Sequence, residues 1–418
     1  MDIFGILAVL HLFAILVVLT RYPQMSVGVQ LLGIPVIGLG LSSLGIGIGA
    51  VIVVLGMNIY ALMVGIFRED FEFKFSVTLI EVGTILLFIW IAVTLTYTPS
   101  PIYGTSKLVL ALLIILPCVV ITKLYCDSYQ KLISTCQCIG GYSIFIVSFF
   151  ALYVALNYTG DSVRLRGEFF GPLSLGYITS SSLPFILILY ATSEKIALRI
   201  LALIAICLSV YILMATGSRG PFVALFIAAI VSLVRAHNFY RALLVTVVIA
   251  VSLSVYVNYA LEKGHKGVER ILQQTDGNER STEGRFYLYG FAVEQFAEYP
   301  VFGQGVGSFS DFVQQRDSRI YAHNSVLEIA GELGLVGLTI YLLTLLAAII
   351  QIARLRLISL TSSNKLFWAI AGAQMLFIVG MVNSFASYDL PLQRTLFVGF
   401  GMLAGTYAWS SVPGKTPN

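Results

Sequence analysis

The sequence predicts an all-α, polytopic integral membrane protein with one long loop outside the bilayer. Three observations predict it. The 418 residues are 58% hydrophobic and 11% charged, whereas a soluble domain carries about 25% charged residues. The apolar residues come in continuous runs of roughly 20, the length needed to span a bilayer. These runs do not alternate with a period of two, so helices rather than a barrel satisfy the backbone in lipid. The net charge of +4 is small and its basic residues are scattered, which argues against nucleic acid as a partner. Cys136-Gln-Cys138 has no second pair to complete a metal site. The first apolar run lacks a basic start and an Ala-x-Ala site, so it reads as a retained span.

In chain order, spans are expected near 3–20, 28–45, 47–66, 76–96, 108–125, 138–157, 173–192, 197–214, 220–234, 242–260, 333–353, 367–385 and 394–411. That gives about 12 or 13 spans by length and apolarity. Residues 29–67 carry no charge, so whether they form one span or two is the least determined point. The resulting organisation is a single membrane domain: helices 1 to about 10 in 1–260, a long loop in 261–322, and C-terminal spans in 323–418. The loop contains an amphipathic stretch, 285–298, which suits an interfacial helix. The Gly-rich Pro300-Val-Phe-Gly-Gln-Gly-Val-Gly307 then breaks it. With that loop placed outside, thirteen Lys and Arg fall on the inner side. Five lie in the outer short segments: Lys107, Arg164, Arg166, Arg219 and Arg394. Basic residues concentrate in cytoplasmic loops, so the long loop faces away from the cytoplasm.

Exceptions to that bias are the candidates for chemistry. Arg219 lies in Thr216-Gly-Ser-Arg-Gly-Pro221, a tight turn between spans, with Pro221 suited to a first helical turn. An ionisable group at membrane level is a functional candidate, against the plain alternative of a snorkelling side chain. Arg285 opens the amphipathic stretch; Arg164 and Arg166 form a second outer basic pair. His323 precedes a helix that Asn324 or Ser325 can cap. Glu328 and Glu332 share a face of that helix and need partners inside it, arginine being the expected one; a structural ion pair is the plain reading. Glu69-Asp-Phe-Glu72 reads as a solvated inner connection. An arginine fork binds phosphate and keeps its charge, and a histidine near neutrality can take a proton from a hydroxyl. Together they suit departure of a diphosphate on the outer side.

Gly284-Arg285, Phe296-x-x-Tyr-Pro-Val-Phe-Gly-Gln-Gly305 and His323-Asn-Ser-Val-Leu-Glu-Ile-Ala-Gly-Glu-Leu-Gly334 resemble the O-antigen ligase and O-antigen polymerase superfamily, and Gly217-Ser-Arg-Gly-Pro221 resembles its upstream arginine motif. The resemblance implies a glycosyltransferase C-type fold in the bacterial inner membrane, with its active site facing the periplasm. It implies a metal-independent, inverting glycosyltransferase with no cofactor and an undecaprenyl-diphosphate-linked oligosaccharide donor. His323 would be the base, and Arg219 and Arg285 would hold the diphosphate. Arg164, Arg166 and Glu328 are further substrate-binding candidates. The first reading is a polymerase that joins lipid-linked repeat units into a surface polysaccharide, with a chain-length regulator protein as a further partner. The alternative is a ligase that transfers the chain to lipid A–core. A lipid-linked oligosaccharide flippase ranks third, because no internal repeat or pair of broken helices is visible.

Overall fold

The computed structural model describes residues 3–47, 49–68, 77–157, 170–233, 258, 262, 276–386 and 389–410. Fourteen helices organise the description here: α1 Ile3–Arg21, α2 Pro23–Ser43, α3 Ala50–Phe67, α4 Leu79–Thr94, α5 Pro101–Leu124, α6 Tyr129–Asn157, α7 Pro172–Thr192, α8 Ile196–Ala215, α9 Arg219–Leu233, α10 Asp276–Glu298, α11 Phe309–Gln314, α12 Ser325–Ser359, α13 Asn364–Ser384 and α14 Arg394–Ser410. Among the described residues no strand occurs, and nine helices are long and apolar enough to cross a membrane. Helices α4 and α9 are shorter apolar elements. The fold is all-α and polytopic. The uncharged stretch 29–67 forms two helices that meet near Gly45. The expected span 242–260 lies outside the described residues.

Three helices start earlier than the apolar pattern suggests: α5 at Pro101, α6 at Tyr129 and α12 at Ser325. Hydropathy undercounts them because their first turns hold polar groups that tertiary partners satisfy. Pro101 supplies a fixed φ at the start of α5. Asp317, far along the chain, accepts the orphan amides of Ile102 (2.8 Å) and Tyr103 (2.9 Å), placing negative charge at a helix N-terminus. In α12, Asn324 Oδ1 accepts from the amides of Val326 (3.0 Å) and Leu327 (3.2 Å), the cap expected from the sequence.

Helices α7 and α13 form the interior, with 83% and 89% of their apolar windows buried. Helix α3, at 28%, turns most of its apolar surface outward, as a lipid-facing helix does. Helix α14 lays Gly401 and Gly405 against the backbone of α5 and the turn after it, the close approach that small residues allow in membranes.

Helix α12 is not continuous. Gly334 adopts φ 64°, ψ −166° and separates 325–333 from 335–359. The break exposes backbone groups within a spanning element, where they must find partners. The loop 300–307 supplies them. The Gln304 and Gly305 amides donate to the carbonyls of Gly331 (3.2 Å) and Glu332 (2.8 Å); those of Leu335 and Val336 donate to Pro300 (2.8 Å) and Val301 (3.2 Å). Trp90 Nε1 donates to the Leu333 carbonyl at 2.9 Å. The two backbones approach so closely that a Cβ on Gly303, at φ 75°, would lie 2.2 Å from the Glu332 carbonyl oxygen. Gly303→Ala is therefore expected to destabilise the protein by about 1–3 kcal/mol or more. Thermal unfolding of purified protein checks this, with Gly284→Ala as the comparison, since a Cβ there meets nothing within 4 Å and Tm should hold.

Candidate functional site

One end of the bundle assembles around the start of α12. His323 immediately precedes the Asn324 cap and takes φ 56°, a left-handed conformation that histidine tolerates better than branched residues. Its ring lies 4.4 Å from that of Tyr321, over which the Arg319 guanidinium sits at 5.9 Å. Helix α10 packs against α12 through a stripe containing Leu288, Phe291 and Ala292, which cluster with Phe309, Ala322 and Leu327. Arg285 falls on the same stripe by helical spacing and brings its positive charge to His323. Burial first, and the Arg285 charge second, hold the His323 imidazole below its ordinary value of 6.5. The ring is therefore neutral near pH 7 and able to accept a proton. Gln295, next along the stripe, donates to Gln304 Oε1 (2.8 Å) and Ser308 Oγ (2.9 Å), fixing α10 to the Gly-rich loop.

Beneath this corner lies a buried ion cluster. Lys107 Nζ of α5 contacts Glu328 (2.5 Å), Glu332 (2.8 Å) and Asp389 (3.3 Å), and all four side chains are at most 4% exposed. The Tyr103 hydroxyl donates to Asp389. Glu332 also accepts from the amides of Gly307 (2.9 Å) and Phe309 (3.4 Å). The carboxylates that sequence reasoning paired with arginine thus meet a lysine. Glu328 sits inside this cluster, one turn below His323. Lys107 and Asp389 were not singled out from the sequence. The available signal was a lysine in an apolar helix, which is a functional or structural marker by default.

Arg219 is exposed at the first turn of α9. Its turn is held at the same end: Gly176 of α7 abuts Pro221, and a Cβ on Gly220 would lie 3.7 Å from the Ala386 Cβ. Asp389 follows Ala386 by three residues, no more than about 11 Å of extended chain. His323, Arg285 and Arg219 therefore share one end of the bundle. Arg164, Arg166 and the acidic stretch from Glu69 to Glu72 lie outside the described residues. Arg394, previously only counted among the outer cations, lines a cavity of about 60 Å³ with Tyr177, Asn383 and Gln393. A larger cavity, about 340 Å³, opens at the opposite membrane face between Arg21, Arg68 and Lys131. It contains none of the motif residues.

The fold and this constellation define a multi-pass helical membrane protein with Arg219, Arg285 and His323 at one end of the bundle. Residues 201–342 match the model of a family described as O-antigen ligase. The match covers about a third of the chain and nearly all the motif residues, and it supports the O-antigen ligase and polymerase superfamily that the motifs resemble. It supports a glycosyltransferase-like or ligase membrane enzyme acting on lipid-linked substrates; ligase is the nearer description for this segment. Among curated proteins none matches the chain.

The ion cluster generates a stability prediction. Removing one partner of a buried pair leaves uncompensated charge, a loss of about 3–5 kcal/mol. Lys107→Met should therefore lower Tm sharply in detergent. Lys365→Met, whose exposed ion pair with Glu194 is worth about 0–1 kcal/mol, should leave it nearly unchanged.

Proposed function

We propose that the protein transfers a saccharide from an undecaprenyl-diphosphate-linked donor to a hydroxyl acceptor on the periplasmic face of the bacterial inner membrane. The observation that carries this reading is His323, uncharged and left-handed at the head of α12, beside the fixed positive charge of Arg285. In this mechanism the His323 imidazole takes the proton of the acceptor hydroxyl as its oxygen attacks the anomeric carbon. The bond from that carbon to the diphosphate oxygen breaks, and the electron pair leaves with the diphosphate. Attack opposite the leaving group inverts the anomeric centre. Arg219 and Arg285 neutralise the departing charge with fork-shaped donors that need no reorganisation. Arg164 and Arg166 add basic contacts to the donor's headgroup. Glu328 acts through Lys107, as a support beneath the histidine.

The acceptor separates two readings. Motif chemistry is common to both, and the polymerase reading was the first from sequence. The family description favours transfer to lipid A–core, and we place the ligase reading ahead on that ground. Purified protein is given lipid-linked saccharide with and without lipid A–core. Product only with lipid A–core is the expected ligase result; a ladder made without it returns the polymerase. His323→Asn, which tolerates the left-handed backbone, should reduce turnover by about 10²–10⁴-fold, the usual worth of general base catalysis, with little change in Tm. Undiminished turnover in that variant would remove His323 as the base.

The pH profile adds an independent check. A base must be unprotonated, so the acid limb of kcat/KM should fall below 6.5. Arg285 disfavours the imidazolium, so Arg285→Gln should move that limb upward while weakening donor binding.

A further inference from the structure

The cavity beside Arg394 is lined by four helices, with Leu31 and Pro35 of α2 on one side. Tyr177 and Ser181 come from α7, Asn383 from α13, and Gln393 and Arg394 from the start of α14. Its position ties it to the motif residues on two sides. Gln393 Nε2 donates to Ser325 Oγ (3.4 Å), two residues from His323. On the other side Gly176, next to Tyr177, abuts Pro221 and Ser218 of the Arg219 turn. The cavity therefore lies between the two parts of the site that the chain brings in from either side of the long loop.

Its chemistry is specific. The Arg394 guanidinium, which carries five N–H donors, donates to the Gln30 carbonyl at 3.4 Å through Nη1. Asn383 is 1% exposed, and neither Nδ2 nor Oδ1 of its side chain has a hydrogen-bond partner. A buried amide with no partner is costly to the fold, about 1–3 kcal/mol, and such groups in a native structure point to a ligand or a catalytic role. A hydroxyl pair, Ser181 and Thr395 at 2.8 Å, borders the same space. A cavity of about 60 Å³ has room for a tetrahedral anion.

We propose that this chamber is a phosphate subsite, in which Arg394 and the Asn383 amide hold a phosphate of the donor's diphosphate next to His323. The proposal rests on the glycosyl-transfer reading above and adds a third arginine and an amide to it. The same phosphate chemistry is offered by undecaprenyl diphosphate, by a phospholipid headgroup and by free diphosphate.

The experiment uses the full-length protein in phosphatidylcholine nanodiscs. Binding of undecaprenyl diphosphate, phosphatidylglycerol and sodium diphosphate is measured separately, with transfer activity and Tm recorded on the same samples. Arg394→Gln is expected to weaken undecaprenyl diphosphate about ten- to hundredfold, the worth of one charge-assisted hydrogen bond. Because Arg394 also bonds Gln30, a second variant guards against loss of fold. Asn383→Leu removes an unpaired buried amide, so Tm should hold or rise while affinity falls several-fold; a structural asparagine would lower Tm instead. Equal weakening of sodium diphosphate supports recognition of the phosphate group itself. Selective loss of phosphatidylglycerol, with undecaprenyl diphosphate unchanged, overturns assignment to the donor. If the wild type makes product and both variants bind undecaprenyl diphosphate as it does, the subsite is wrong and the transfer reading stands. A wild type that neither binds the lipid nor makes product overturns both.

Discussion

One ammonium group underlies the outer half of the molecule. Lys107 Nζ lies in a spanning helix and draws in carboxylates from two other segments: Glu328 and Glu332 of α12, and Asp389 before α14. Each would be prohibitive alone in a low-dielectric interior. Together they fix the depth at which α5, α12 and the segment leading into α14 meet. Glu332 extends the hold to the loop, since its oxygens also receive the Gly307 and Phe309 amides. The Gly-rich loop, the broken helix and the histidine corner are thus parts of one fastening.

This arrangement separates the motif residues into two kinds. Gly303, Gly305, Gly331, Glu332 and Gly334 serve the join between the loop and the break in α12. A Cβ on Gly303 or on Gly334 would lie 2.2 or 2.4 Å from the opposing backbone. His323, Arg285 and Arg219 are left at the open face, where their side chains are half-buried or exposed. In the proposed reaction, the rigid join supports groups that hold still while the lipid diphosphate departs.

Much of this was legible in the sequence, and the reason differs by element. The spans follow from apolar run length. The Asn324 cap and the common stripe of Arg285 and Leu288 follow from helical periodicity, which is local. The partner of Glu328 does not, because periodicity says which face a residue occupies but not which helix lies opposite it. Lys107 is 221 positions away, and a side-chain count placed it merely among the outer cations. Arg394 and Asn383 were hidden for the same reason: their cavity exists only once α2, α7, α13 and α14 converge. The early start of α12 was missed because its two glutamates lower hydropathy, and only the lysine restores the balance.

The break at Gly334 also bears on how the chain enters the bilayer. Residues 335–353 are uncharged and suffice for insertion by themselves. The preceding 325–333 carry two carboxylates that lipid resists. Since α5 precedes α12 in the chain, its lysine is synthesised before these glutamates. The outer segment of α12 can fold inward onto that lysine after the inner segment has crossed.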